Sequence, residues 1–246
     1  MLADNGPRWT AYFVLQRLFG GIAARLDARI IALERERGLT GINSIARNRE
    51  LWESWDWKEG GEEWTQSREW KRTLIEEVMF KYLEPGKDVL EIGPGAGRWS
   101  EVLLERAAHL ALVDVTERCI ELCRRRLSGR DNVAYFVNDG ATLGFLADRS
   151  LDFVWSFDAF VHIDPRATES YLMELARVLR PRGRGVIHHP RSGRVHGGYR
   201  SSMTAESFLK LLHKHGLGLL TQLDSWGPDG RYSVRLHDDM ITVFER

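Results

Sequence analysis

Residues 88–100 read DVLEIGPGAGRWS, and the rest of the chain is best read outward from them. A short apolar run, Val89-Leu90-Glu91-Ile92, leads into three glycines at alternate positions, Gly93, Gly95 and Gly97, and then into a helix-compatible segment near Arg98. That pattern is a buried strand, a tight turn and a helix N-terminus, where backbone N–H groups and the helix dipole face a ligand. Glycine admits positive φ at such a turn and lets a ligand approach the backbone closely.

Two further features give the turn its meaning. Glu91 lies just inside the strand end, and a second apolar run, Leu110-Ala111-Leu112-Val113, closes on Asp114, about 20 residues on, where a carboxylate can accept hydrogen bonds from two ribose hydroxyls. The spacing E-x-G-x-G-x-G with an acidic residue closing the next strand resembles motif I and its successor in the class I S-adenosylmethionine-dependent methyltransferases. A dinucleotide site expects G-x-G-x-x-G, which these glycines do not give.

At 246 residues the chain has room for one α/β core with an appendage. Its 35 basic and 35 acidic side chains cancel, so nothing favours a nucleic-acid partner, and Arg124-Arg125-Arg126 reads as a solvated helix face. The two cysteines, Cys119 and Cys123, are one helical turn apart and read as packing residues or inert thiols. No secretory leader and no apolar run of membrane-spanning length is apparent, so a cytoplasmic location without a transmembrane segment is the expectation.

Three regions follow from the pattern. Residues 1–46 form an N-terminal extension in which Leu15, Leu18, Phe19, Ile22, Leu26, Ile30 and Leu33 recur at helical spacing from about Thr10 to Arg37. This stripe packs on the core, on a second copy or on a membrane surface; a homo-oligomer through it is one expectation. Residues 47–84 hold Trp52, Trp55, Trp57, Trp64 and Trp70, five of the nine tryptophans, among Glu50, Glu53, Asp56, Glu59, Glu62 and Glu63, and the resemblance implies that this segment is a lid over cofactor and acceptor. Aromatic faces beside carboxylates suit a carbohydrate acceptor, a cationic amine, or plain docking of the segment on the core.

Residues 85–246 alternate strand and helix, the pattern of a parallel sheet covered on both faces. Strands are expected at 88–92, 109–114, 133–138, 151–157 and 184–189, with helices at about 97–106, 116–127, 141–147, 166–180 and 204–215. The chain closes with Leu217 to Ser225 and Ser233 to Phe244, joined by Gly227-Pro228-Asp229-Gly230, a turn signal for an antiparallel hairpin. The resemblance implies a Rossmann-like seven-stranded, mostly parallel α/β sheet ending in that hairpin.

The cofactor implied is S-adenosylmethionine, with S-adenosylhomocysteine as product. By resemblance, Gly93, Pro94, Gly95 and Gly97 pass under its methionine and ribose, and Glu91 tethers the glycine loop or reaches the amino group through water. Asp114 holds the ribose hydroxyls and Val115 packs on the adenine. Asp139 and Gly140, in VNDGA, fall where the family bonds the adenine amino group, although Asn-Asp-Gly is also a common turn tripeptide. Ser156 and Phe157 fall where a backbone carbonyl meets the methionine amino group, and Trp64 and Trp70 complete the set from the lid.

In SFDAFVHIDP, Asp158 and His162 fall at the carboxyl end of the fourth strand, where open α/β sheets bind ligands. His162 is the first candidate for a base, since imidazole titrates near neutrality; a packing role stays open beside it. His188 and His189 end the fifth strand and point to opposite faces, and His189 joins Asp158 and His162 in the expected catalytic set. These side chains with His196 have no tight metal-ligand spacing, and no metal is expected. The loop from Pro190 to Arg200 hangs over the same end of the sheet. Methyl transfer to a small-molecule acceptor follows, most readily to a sugar or glycoside hydroxyl; methylation of an amine nitrogen and a non-catalytic cofactor-binding scaffold are the alternatives.

Overall fold

The computed structural model describes residues 15, 18–22, 25–26, 29, 44–193 and 200–246. The chain divides into two compact units, Met1–Gly41 and Ile42–Arg246. In the first, the described residues are helical, and Leu15, Leu18, Phe19, Ile22 and Leu26 are exposed. The remainder of the expected Thr10–Arg37 helix lies outside the described residues.

The second unit is built on strands β1 (Lys87–Ile92), β2 (Ala107–Asp114), β3 (Val133–Val137), β4 (Leu151–Ser156), β5 (Leu179–Pro190), β6 (Gly218–Leu223) and β9 (Asp239–Glu245). They form one seven-stranded sheet in the order β3-β2-β1-β4-β5-β9-β6. The first five are parallel, and β9 runs antiparallel to both β5 and β6. Strand order reverses beside β1, leaving a crevice at the carboxyl ends of β1 and β4. There the central strands are buried: β1 is covered from Val89 to Ile92 and β2 from Leu110 to Asp114. Two apolar layers flank the sheet, one holding Trp70, Leu74, Val89, Leu112 and Trp155, the other Leu90, Val113, Val154, Leu172 and Phe208.

Local chemistry sets the element ends. Thr116 caps helix Glu117–Arg126 by accepting the Cys119 N–H at 3.2 Å, and Asp164 caps Pro165–Val178 by accepting from Arg166 and Ala167 at 2.8 and 3.2 Å. The capping Thr204 of Ala205–Lys214 accepts from Ser207 at 3.0 Å. The expected helix at 141–147 does not form. The Arg177 guanidinium takes the carbonyls of Leu143 and Leu146 at 3.0 and 2.8 Å, and Asp139 ties down the start of the segment. The helix expected at 97–106 shrinks to Ser100–Leu103, because the following residues close i→i−3 turns. The final strand begins at Asp239 rather than Ser233. Ser225–Trp226 (β7) and Tyr232–Ser233 (β8) pair as a separate small hairpin around the Gly227–Gly230 turn.

No helix among the described residues is long and apolar enough to cross a membrane.

Candidate active site

A cavity of about 510 Å³ opens at the carboxyl ends of β1 and β4. That size suits a small-molecule site. Its floor is the glycine turn: Gly93, Gly95 and Gly97 all have positive φ. A β-carbon at Gly93 would stand 2.4 Å from that of Ala159, and one at Gly95 would stand 2.7 Å from the Trp57 ring. The glycines are thus required by crowding as well as by backbone conformation.

Asp114 ends β2 facing this turn. One carboxylate oxygen takes the N–H and hydroxyl of Thr116 at 3.0 and 3.2 Å, whereas the other has a long contact, 3.4 Å, with the Gly95 N–H. That second oxygen keeps capacity for a ligand's hydroxyl groups. Burial pushes the carboxyl up to about 6. Val115 and Gly140 line the same end, and Gly140 is crowded by Ile45 from the helix Ile45–Ser54.

Other expected cofactor residues sit behind the surface. Glu91 is buried and accepts the Ser100 hydroxyl at 2.5 Å, and burial pushes its carboxyl up to about 7. Ser156 donates to the Ile92 carbonyl at 2.8 Å; neither Glu91, Ser156 nor Gly97 lines the cavity. Asp139 corrects toward the turn reading. Its carboxylate accepts from the Ala141 and Thr142 N–H groups and the Thr142 hydroxyl at 2.7–2.9 Å and stays outside the cavity, because its own turn offers three donors at shorter range.

The tryptophan-rich segment roofs the site. Trp52, Trp57, Trp64 and Trp70 line the cavity and Trp55 stacks on Trp64 at 5.7 Å. Of the acids threaded through the segment only Glu63 lines the cavity, and it accepts the Trp55 indole N–H at 3.1 Å. The others face elsewhere: Glu50 pairs with Arg47, Asp56 with Lys58 and Glu62 with Lys71.

Opposite the roof, Arg98, Asp158, His162, His188, Arg200 and Asp239 line the wall. His162 lies edge-on to Trp52, ring centroids 5.1 Å apart, and its carbonyl accepts from Asn48 at 2.9 Å. Asp158 adopts φ 67, a strained value for a residue with a β-carbon, and pairs with Arg98. Burial opposes its charge, yet Arg98 and His188 outweigh burial and hold it well below the usual carboxylate range.

Of the two adjacent histidines, His188 faces the site. It sits 3.1 Å from Asp158 and 3.2 Å from Asp239, the latter an ion-pair contact rather than an aligned hydrogen bond. The Asp158 backbone N–H also donates to His188 Nδ1 at 3.2 Å. Burial alone would lower its basicity; the carboxylates of Asp158 and Asp239 outweigh burial and raise it to about 9. His189 points into the opposite core. It is stacked on Phe208 at 4.0 Å and bonded to Thr242 and the Pro190 carbonyl at 2.7 and 2.8 Å, and burial depresses it to about 3. His189, expected in the catalytic set, therefore lies outside the cavity, and His188 lines it instead.

Arg194, His196 and Tyr199 lie outside the described residues. Among the described residues no group of three or more His, Cys, Asp or Glu side chains is arranged to hold a metal ion.

Sequence reasoning missed Trp57 over the glycine turn, Arg98 and Trp99 on the wall, and Asp239. Arg98 and Trp99 directly follow the glycines, and Asp239 pairs with Pro190 in the closing hairpin, next to the histidines. Projecting the hairpin register back onto β5 is the signal that would have found Asp239.

Residues 89–183 match the family described as a methyltransferase domain. Over 103 residues the chain is 39% identical to a demethylmenaquinone methyltransferase of Clavibacter sepedonicus, covering 42% of this chain and 40% of that protein's length. Among solved structures, the putative methyltransferase of Haloferax volcanii in complex with the Trm112 methyltransferase activator superposes with a TM-score of 0.59 at 18% identity, covering 77% of this chain and 95% of that one. The N-methyltransferase NodS of Bradyrhizobium japonicum gives 0.59 at 18%, covering 73% and 98%. At these identities the structural likenesses speak to fold.

Proposed function

Because this chain carries a class I S-adenosylmethionine-dependent methyltransferase domain, we propose that it transfers a methyl group to a hydroxyl of a small-molecule acceptor, with His162 as the base. The observation that carries the reading is the crowded positive-φ glycine turn facing the open carboxylate oxygen of Asp114, at the floor of a cavity roofed by tryptophans. A cradle that admits no β-carbon fits a ligand lying directly on the backbone.

When bound, the cofactor supplies a sulfonium methyl carbon open to in-line substitution. In this reading Gly93, Pro94 and Gly95 support its methionine and ribose, Asp114 accepts the ribose hydroxyls, and Val115 and Gly140 flank the adenine. The roof of Trp52, Trp57 and Trp64 excludes water and aligns the acceptor, which is where most of the rate is gained in a displacement needing no covalent enzyme intermediate. His162, on the wall beneath Trp52, takes the acceptor proton.

A sugar or glycoside acceptor draws support from the tryptophan faces but loses the support of the acids, since Glu63 alone of them lines the cavity. A second reading, methylation of a quinone-type acceptor, draws on the Clavibacter relative, named a demethylmenaquinone methyltransferase, whose length this chain spans by 40%.

The test incubates the purified chain with S-adenosylmethionine and pooled phenols, sugars and amines, and searches by mass spectrometry for a product heavier by one methylene unit. Retention of S-adenosylhomocysteine with no turnover of any pool would make the chain a non-catalytic binding scaffold.

A further inference from the structure

The loop between the carboxyl end of β4 and the helix Pro165–Val178 carries His162, and three successive carbonyls in it are taken by three different parts of the chain. The Val161 carbonyl accepts the Ser201 N–H at 2.8 Å, the His162 carbonyl accepts the Asn48 side-chain amide at 2.9 Å, and the Ile163 carbonyl has a long contact, 3.4 Å, with the Thr168 hydroxyl. Before His162 the loop is anchored in the core by buried Phe160 and Val161. At His162 it emerges, half-buried, onto the cavity lining, and the tether at that point comes from the roof.

Asn48 belongs to the helix Ile45–Ser54, whose Ile45, Asn48 and Trp52 recur at three- and four-residue steps and share the face that lines the cavity. Asn48 grips the His162 backbone, and Trp52, one turn on, meets the His162 ring edge-on. Backbone and ring of the histidine are thus held from one helix. That helix contributes no fully buried residue, so directed contacts largely set its place. Arg49 donates from Nε to the Val115 carbonyl at 3.1 Å and from Nη2 to the Asn138 carbonyl at 3.5 Å, and Ile45 sits over Gly140, where a β-carbon would stand 2.7 Å from it. Val115 and Asn138 directly follow β2 and β3, whereas His162 follows β4, with β1 between them in the sheet. The helix is therefore pinned on one side of the glycine turn and holds the histidine on the other.

We propose that Asn48 is a positioning residue for methyl transfer: its bond to the His162 carbonyl holds the emerging loop so that the imidazole stays beneath Trp52 and faces the acceptor, and Arg49 fixes the helix that carries Asn48. The proposal rests on the reading of His162 as the base and adds the group that aims it. A base must lie within hydrogen-bond reach of the proton it removes, and a misplacement of about 1 Å costs on the order of a hundredfold in rate. One amide suffices as tether because Val161 already fixes the loop on one side, leaving only the residue that departs from the core to be held.

The experiment uses the full chain, isotope-labelled in its histidine rings and read by NMR, the His162 signal being the one lost in His162→Ala. In the wild type that signal should carry the ring-current shift of Trp52, which Trp52→Leu removes. Asn48→Leu keeps the size of the side chain and removes the donor without adding charge, and it should move the His162 signal toward its Trp52→Leu position. Arg49→Met, which leaves Asn48 in place and frees the helix, should move it the same way. A signal that stays at its wild-type position in both variants overturns the proposal. With the acceptor found in the product search, Asn48→Leu should lower kcat about tenfold with the KM for S-adenosylmethionine unchanged, and should cost nothing further in the His162→Ala background. An equal loss in both backgrounds also overturns the proposal, since Asn48 would then act on the roof and not through the histidine. Wild-type turnover by His162→Ala would sink the reading of His162 as base, and with it the part of Asn48 in turnover, while the NMR signal separately reports whether Asn48 holds that ring.

Discussion

The Trp57 indole lies directly over the α-carbon of Gly95, so close that a β-carbon there would approach the ring carbons at 2.7 and 2.8 Å. Trp57 is itself anchored by its N–H to the Trp52 carbonyl at 3.2 Å. Gly95→Ala therefore meets two obstacles at once, a fixed ring and φ +55. Affinity for S-adenosylhomocysteine should fall at least about tenfold by calorimetry, the 1.4 kcal/mol scale of backbone strain in the glycine loop. Unchanged affinity would mean that the roof is displaced at no cost.

Asp114→Asn should weaken cofactor binding by about 1–3 kcal/mol, the range for a lost hydrogen-bonded charge. Because burial lifts this carboxyl to about 6, wild-type affinity should also fall as the pH drops through that value, where the acceptor oxygens begin to carry a proton. The variant should be flat over the same window. Calorimetric titrations at a series of pH values check both.

His162→Ala should reduce turnover about a hundredfold, with cofactor affinity little changed, if the imidazole takes the acceptor proton. His189 offers the contrast. Its ring is locked in the core by Thr242 and Phe208, so His189→Ala should lower the unfolding midpoint and leave the pH profile of turnover where it was.

Glu91 makes the ligand-free fold less stable as pH rises. Its carboxyl moves from 4.5 to about 7 on folding, so the native state holds a proton that the unfolded chain has released between those values. Stability should decline across that window and level off above it, a loss of about 3 kcal/mol for Glu91 alone. Glu91→Gln keeps a group able to accept from Ser100 and should remove the decline in urea unfolding.

His188 gives a second, later window. Raised from 6.5 to about 9 in the fold, it contributes stability that is complete below 6.5 and is lost as the pH climbs through 9. His188→Gln should flatten unfolding midpoints in this upper range without altering the lower one.

Short-range signals carried well. The strand, glycines and Asp114 of the first two strands were legible because one strand and one turn contain them, and the strand and helix alternation gave the parallel sheet. Long-range choices were hidden. Period two sets His188 and His189 on opposite faces, but only the position of β9, which brings Asp239 beside His188, decides which face is the site. The segment at 141–147 has a helical pattern, yet Arg177, more than 30 residues away on another helix, captures its carbonyls. Carboxylates interleaved with tryptophans suggested a polar roof, but local pairs with Arg47, Lys58 and Lys71 engage three of the six, and only Glu63 lines the cavity.

Cys119 and Cys123 are both buried, burial pushes both thiols up, and Cys123 donates to the Gly95 carbonyl at 3.3 Å. Neither will form thiolate at working pH, so alkylating reagents should leave the native chain unmarked. A single cysteine introduced at Leu236, 74% exposed on the cavity rim, then becomes a unique handle for a fluorophore, and its labelling rate reads how far the mouth opens in solution with no interference from the native thiols.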